Sequence, residues 1–495
     1  MLEPEILIKK LAEVVGPEDV VTDPEILEEF SKDHSFVKPT KPLCVVFPQN
    51  KEEVKQIIRL ANEYKVPLTP ISSGPPHFRG DTIPREGGII INLSKMKRIL
   101  RIDTRNRTVM VEPGVTFGEL VPHLEKSGLR LNMPFLPRAS KSVVTSYLER
   151  EPPIIPKYQF DYVDPLLTME VVFGTGDEFR TGTASGPGSI DEMQCDMVNP
   201  FGPGDIKYFK LLSGAQGTLG IVTWAMVKAE VMPTIRKIYF VPFEDIEKII
   251  ESMNRLLRYG VMGSVADEIL TLNNFNLAVI LAEKWPEEFT TLRKSLPPWM
   301  LIFCIGGYRR AEERLKVQEK CLMEIAQELA LEPTQSMPGA PGKEKMMLEL
   351  LSKPWSKEPY WKLRYKGSCC EIFFLAPPSK VACLISPIYE VAVKYGYPTS
   401  DIGCYIQSIV QGHAYHVEFD LPYNPSDPKE VEITRKVFMD ASELLINKGG
   451  FFSRPYGPWA QMVYSRYGEG ITVLKKVKDI FDPHHILNPG ALFVF

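Results

Sequence analysis

The chain has 495 residues, 44% hydrophobic and 24% charged, and a formal net charge of −4. That length implies two or three domains, and the composition is that of an ordinary globular protein. The slightly acidic balance argues against nucleic acid as a partner, and no apolar run approaches the ~18 residues of a transmembrane segment.

The first residues, MLEPEILIKKLAEVVG, set apolar side chains at helical spacing among charges and lack the core and cleavage site of a secretory signal. A cytoplasmic location is expected. Residues 4–15 and 24–34 read as helices, and Lys41–Pro48 as a short buried strand. Asn50 caps the next helix, with Glu52 and Glu53 in its first turn and Val54, Ile57, Ile58, Leu60 and Ala61 along one face. Pro67–Ile71 and Gly88–Leu93 are strands on either side of a loop at 72–84. Ile99–Glu112 reads as a hairpin, and Thr116 caps a helix to about residue 126. Gly220–Val231 is a strand, and Met232-Pro233 marks a boundary. A strand at KIYFVPF and a helix over Asp245–Tyr259 follow, then alternating elements with a strand over 407–421. Helices at Ile433–Lys448 and Ile471–Phe481 precede the closing ILNPG.

The eight cysteines form no C-x-x-C pair, so no zinc or iron–sulfur site is expected and they read as free thiols. The 43 prolines cluster in stretches that read as long ordered loops. Two stretches can bring backbone against a large anionic ligand. These are Ser72–Pro84 (SSGPPHFRGDTIP) and Gly214–Ile221 (GAQGTLGI). Glycine permits both close approach and positive φ.

The run Leu167–Phe173, then GTGD, FRTG and the late GAQGTLGI loop, resembles the FAD-clamping half of the vanillyl-alcohol-oxidase superfamily. The 42–48 strand, the 72–84 loop, Val111–Val115 and ILNPG resemble flavin subunits of glycolate oxidase and D-lactate dehydrogenases. TSYLER at 145–150, MEVVFGTGDEFRTG and Ser453-Arg454 lean toward vanillyl-alcohol oxidase and para-cresol methylhydroxylase. The resemblance implies an α+β protein. Residues 1–233 would form a two-lobed FAD-binding domain, with lobes at about 35–126 and 127–233. Residues 234–445 would form an α+β cap, and 446–495 would return to the FAD domain.

It implies FAD as cofactor, held by Ser72, Ser73, Gly74, His77, Phe78, Arg79 and Gly80 from the first loop. Pro113, Gly114, Gly214, Gly217, Thr218, Gly220, Ile221 and Asn488 would complete the site. The first loop departs from the glycine-rich family pattern at Pro75, Pro76, His77 and Asp81, and the prolines remove two amide donors. Arg79 then offers either a phosphate contact or a surface charge. His77 lies near a position that is flavin-linked in some relatives, with a hydrogen-bonding role as the alternative.

For catalysis, Arg454 aligns with an arginine that stabilises phenolate in the phenol-oxidising relatives, and guanidinium also forks onto carboxylate. Ser453 stands where those relatives have tyrosine, and Tyr456 is the candidate substitute. His413 and His416 fall where glycolate-oxidase-type enzymes carry a histidine pair. The family's C-terminal Glu-His pair is missing here, so no metal is expected, and one histidine is the candidate base or flavin linkage. Asp161, or Asp164, stands where relatives keep an acid beside the flavin, and Arg364 and Lys366 are further basic candidates in the cap.

Three functions stay open. The first is a dehydrogenase of a 2-hydroxy acid that passes electrons to an iron–sulfur subunit or an electron-transfer flavoprotein. The second is an oxidoreductase of para-substituted phenols or aromatic alcohols. The third is a non-catalytic flavoprotein subunit of a larger redox complex. Homo-oligomer formation is compatible with each.

Overall fold

The computed structural model describes residues 4–156, 165–185, 208–258 and 265–492. Its elements arise from three sheets laid down in chain order, joined by a tail that returns to the first.

Sheet one is formed by β1 (Val20–Val21), β2 (Cys44–Val46), β3 (Leu68–Ile71) and β4 (Ile89–Asn92), in the order β1-β2-β4-β3. β2, β4 and β3 are parallel, and β1 runs antiparallel to β2. The helix Lys51–Tyr64 connects β2 to β3. Its N-cap Asn50 accepts from the Glu53 amide, and Val54, Ile57, Ile58 and Ala61 are buried along one face. That face packs with Leu7, Leu11 and Val15 of the Pro4–Val15 helix. The second helix stops at Glu29, short of the expected residue 34.

Sheet two holds β5 (Ile99–Asp103), β6 (Thr108–Val111), β7 (Leu129–Leu131), β8 (Leu166–Phe173), β9 (Glu178–Arg180) and β10 (Gly220–Val231). It is antiparallel in the order β5-β6-β10-β8-β9, with β7 also on β10. β10 is the spine, since three strands pair along its length. The helix Phe117–Lys126 begins in a reciprocal capping box between Thr116 and Glu119.

Sheet three is six-stranded and antiparallel. It comprises β11 (Ile235–Phe243), β12 (Glu268–Asn273), β13 (Trp299–Gly307), β14 (Ser368–Ala376), β15 (Gly403–Ile409) and β16 (Ala414–Tyr423). The order is β11-β13-β12-β15-β16-β14. A single strand over 407–421 does not form. The chain instead turns at 410–412, with Gln411 at φ 52°, and makes the β15–β16 hairpin. The helix expected from Ile433 starts earlier, at Pro428, because Asp427 caps it and Pro428 occupies its first turn.

The tail crosses sheet three, where Phe451 and Leu375 exchange two backbone bonds of 2.8 Å, and then runs back to sheet one. There the Leu68 amide donates to Ile486 O and the Asn488 amide to Leu68 O, both at 2.7 Å. Among the described residues no helix is long and apolar enough to cross a membrane.

Candidate functional site

The loops that follow β3 and precede β10 open on one cavity, and one face of sheet three covers it. Strand alternation determines which side chains that face presents. In the hairpin register Gln407 opposes His416, Tyr405 opposes Glu418 and Gly403 opposes Asp420. On the other side of β16, Phe373 opposes Glu418 and Glu371 opposes Asp420. His416, Glu418 and Asp420 therefore share a face, while Val417, Phe419 and Leu421 point the other way into the apolar core. The segment 360–362 and the tail residues Arg454 and Tyr456 complete the enclosure. Its space, with the open solvent at the mouth included, is about 1620 Å³.

The flank between sheets one and two has the character of a dinucleotide cradle. Ser72, Ser73, His77, Phe78, Pro113, Gly214, Gly217, Gly220 and Ile221 line it. Gly217 is at φ +68°, and a Cβ there would lie 2.3 Å from Pro70 Cγ, so only glycine lets this loop lie against β3. This bare backbone beside a long cavity fits FAD.

Other expected contacts lie elsewhere. The amide of Gly74 donates to Ser140 O at 2.9 Å, that of Gly80 to Asp33 at 2.6 Å and that of Gly114 to Met96 O at 2.7 Å. Thr218 turns its hydroxyl onto Ala215 O, and the Asn488 amide group donates to Gln216 O at 2.8 Å. None of these five residues lines the cavity; they shape the loops from behind. Arg79 does line it, already engaged by acids. Its guanidinium is spent on Glu149 at 2.9 Å, Glu151 at 2.8 Å and Glu371 at 3.4 Å, and lies against Phe373 and Tyr456.

Lys141 shares the same acids, at 2.6 Å from Glu149 and 2.7 Å from Glu151. Burial pushes the Glu151 carboxyl up, but Lys141 and Arg79 outweigh it and hold the group well below the usual range. His77 is driven down to about 3 by burial, then by Arg138 and Lys141, so its ring is neutral. Its Nδ1 lies 3.4 Å from Arg138 Nη2.

Glu371, Glu418 and Asp420 converge closely enough to hold a cation. The Lys362 ammonium already occupies the place, 2.5 Å from Glu371, 2.5 Å from Glu418 and 2.9 Å from Asp420. All three of its hydrogens are used. Glu418 reaches His416 Nε2 with its other oxygen, at 3.1 Å.

Four buried polar atoms of cavity-lining residues have no hydrogen-bond partner among the described residues. They are Arg454 Nη1, Tyr405 OH, Trp361 Nε1 and His416 Nδ1. Arg454 is 4% exposed and makes no ion pair there, its guanidinium stacking 4.2 Å from the Phe373 ring centre. Burial, and then Arg79, pull its pKa down. Burial also lowers that of His416, with Glu418 opposing. Such atoms are costly when left unpaired, and these four are available to a polar ligand in the cavity.

Tyr456 joins this group and is buried. His413 does not: it is exposed in the turn before β16. Asp161 and Asp164 lie outside the described residues. Arg364 is used on the carbonyls of Val279 and Ala282, and Lys366 pairs with Asp401 and Glu430. Sequence reasoning passed over Lys362, Glu371, Tyr405, Trp361 and Glu418. Of these only Glu418 carried a signal, its i+2 spacing from His416 in a strand.

Residues 42–145 match the FAD binding domain family, and residues 232–492 match the FAD linked oxidases, C-terminal domain. The chain is 26% identical to glycolate oxidase subunit GlcD of Bacillus subtilis, over 98% of this chain and 96% of that protein. It is 24% identical to the 4-cresol dehydrogenase [hydroxylating] flavoprotein subunit of Pseudomonas putida, over 98% and 94%. The fold superposes on p-cresol methylhydroxylase with substrate bound at a TM-score of 0.82 and 21% identity, covering 99% of this chain and 96% of that one. The architecture is thus the vanillyl-alcohol-oxidase type, FAD is the cofactor, and the chain belongs to the FAD-linked oxidases.

Proposed function

We propose that this FAD-linked oxidoreductase dehydrogenates a 2-hydroxy acid to the 2-oxo acid. One observation carries the reading: the donor and acceptor character of the four unpartnered atoms. Arg454, Tyr405 and Trp361 offer hydrogens, which a carboxylate accepts on its two oxygens. His416 Nδ1 offers a lone pair when Nε2 carries the proton toward Glu418, and a hydroxyl donates to it.

Arg454 would bind the carboxylate bidentately and fix the carbinol carbon. Tyr405 and Trp361 would complete the anion's contacts. His416 takes the hydroxyl proton as the C–O bond becomes C=O, and Glu418 stabilises the imidazolium formed. FAD, when bound, supplies the acceptor for the carbinol hydrogen and its electron pair. Among the described residues the cysteines are free thiols and the one cation-shaped acid cluster is filled by Lys362. The electrons would then pass to a partner of the iron–sulfur or electron-transfer-flavoprotein kind.

A phenolic substrate is the second reading, favoured by Phe78, Phe135, Tyr360 and Tyr456 along the cavity wall. A phenolate would satisfy Arg454, but a para-alkylphenol would leave His416 Nδ1 unpaired.

The test is anaerobic bleaching of the flavin in purified holoenzyme by glycolate, D-lactate, mandelate, 4-hydroxybenzyl alcohol and p-cresol. Bleaching by one or more of the three acids, abolished in Arg454→Ala, is expected. Bleaching by p-cresol alone would replace the first reading with the second.

A further inference from the structure

The catalytic reading needs His416 in one tautomer, with its proton on Nε2 and its lone pair on Nδ1. Imidazole's own slight preference for the Nε2 proton is too weak to secure that choice. The groups around the ring do. Tyr405 lies edge-on at 5.7 Å and Phe373 at 6.0 Å between centroids, and neither bonds to it. The charged groups that face the ring are Glu418, Lys362 and Arg454. Only Glu418 touches it, at Nε2. A carboxylate there accepts the Nε2 proton, whereas a protonated carboxyl would donate to the ring and reverse the tautomer. Everything turns on keeping Glu418 ionised at a buried place, beside Glu371 and Asp420.

We propose that Lys362 is a positioning residue for this purpose: its ammonium holds Glu418 as a carboxylate, which fixes His416 with Nδ1 open to the cavity. The inference rests on His416 acting as the base. The geometry is specific. Lys362 is fixed over the Trp361 ring, 5.2 Å from its centre, and buried. Its three hydrogens match three carboxylate oxygens, and Glu418 divides its two oxygens between the ammonium and the imidazole. Asp420 has a second support in Asn276 at 2.8 Å and Glu371 in Arg79 at 3.4 Å, and Glu418 is the member of the cluster that bonds to His416.

Flavin-loaded protein labelled with 15N-histidine tests this without a substrate. The chain has seven histidines, and His416→Asn identifies the resonances of interest by their disappearance. In the wild type the His416 Nδ1 signal should be pyridine-type and the Nε2 signal pyrrole-type. In Lys362→Met the two signals should converge or exchange places, and Lys362→Arg should restore the wild-type pattern. If Lys362→Met fails to hold flavin, the double variant Lys362→Gln, Asp420→Asn, which removes one charge of each sign, carries the same expectation. A folded, flavin-loaded variant lacking the Lys362 charge and showing an unchanged tautomer would overturn the proposal. The underlying reading fails separately: if His416→Ala were still bleached at the wild-type rate, the base would lie elsewhere, whatever the tautomer result.

Discussion

Arg454 is a guanidinium held almost out of water with no counter-ion bonded to it among the described residues, and a fold that tolerates this gives up stability for function. Removing the charge while keeping the apolar volume should relieve that cost. Arg454→Met is therefore expected to stabilise the substrate-free protein by about 1–3 kcal/mol while abolishing bleaching by hydroxy acids. Urea unfolding beside the bleaching assay checks both, and an equal or lower midpoint would show that the guanidinium is satisfied. His77 makes a second case. Its ring is held neutral in the folded protein down to a pH of about 3, whereas an unfolded histidine protonates near ~6.5. Between those values the unfolded chain binds the extra proton, so the stability that His77 permits is complete above the unfolded pKa and is lost as pH falls. His77→Asn should accordingly lose less stability than wild type between pH 7 and pH 4, by up to about 3 kcal/mol. Parallel unfolding curves at the two pH values decide it.

Arg79 links elements that the chain lays down far apart. It ties the loop after β3 to Glu149 and Glu151 beside the Val143–Leu148 helix and to Glu371 on β14. Arg79→Met would leave those buried acids short of a cation, so a loss of about 3–5 kcal/mol is expected. Guanidinium unfolding measures it, and a loss near zero would mean that Lys141 and Lys362 suffice. No local pattern announces such a network, because its partners are 70 to 292 residues apart. Local signals fared differently. Asn50, Thr116 and the apolar face of Lys51–Tyr64 were readable because caps and helical periodicity are short-range chemistry. The hairpin turn at 410–412 was missed although Gly412, at φ 83° beside the left-handed Gln411, breaks the strand pattern there. That turn leaves His413 exposed, and the pairing of β15 with β16 brings His416 beside Tyr405. The alternation His416-x-Glu418-x-Asp420 was visible. What it meant depended on Lys362, which reaches the same face from outside the strand.

Across the whole molecule, the tail ties β3, and with it the loop that follows, to the loop before β10, the two loops proposed to hold the flavin. Ile486 and Asn488 bond to Leu68 at the edge of β3, and the Asn488 side chain holds Gln216 in the loop before β10. Gln216 in turn donates to Pro455 O at 3.3 Å, next to the proposed substrate anchor Arg454. Lys478 is the knot: its ammonium, nearly inaccessible to water, bonds to Thr218 O, to Leu487 O at 2.8 Å and to Asp482. Asp482 then accepts from the amides of Ile486 and Leu487 at 3.1 and 2.8 Å. One cation therefore sets the distance between the flavin loop and the closing ILNPG, which explains why residues that never line the cavity were picked out with those that do. Lys478→Met should leave the Asp482 carboxylate buried without its cation and release Thr218, loosening the loop that carries Gly214 and Gly217. FAD affinity, read by fluorescence titration of the apoprotein, is expected to weaken at least tenfold, or about 1.4 kcal/mol. The melting temperature of the apoprotein should fall as well. Because the substituted side chain touches no cavity residue except through Thr218 and the tail backbone, an unchanged FAD dissociation constant with a lowered melting temperature would mean that the clasp stabilises the fold without shaping the cradle.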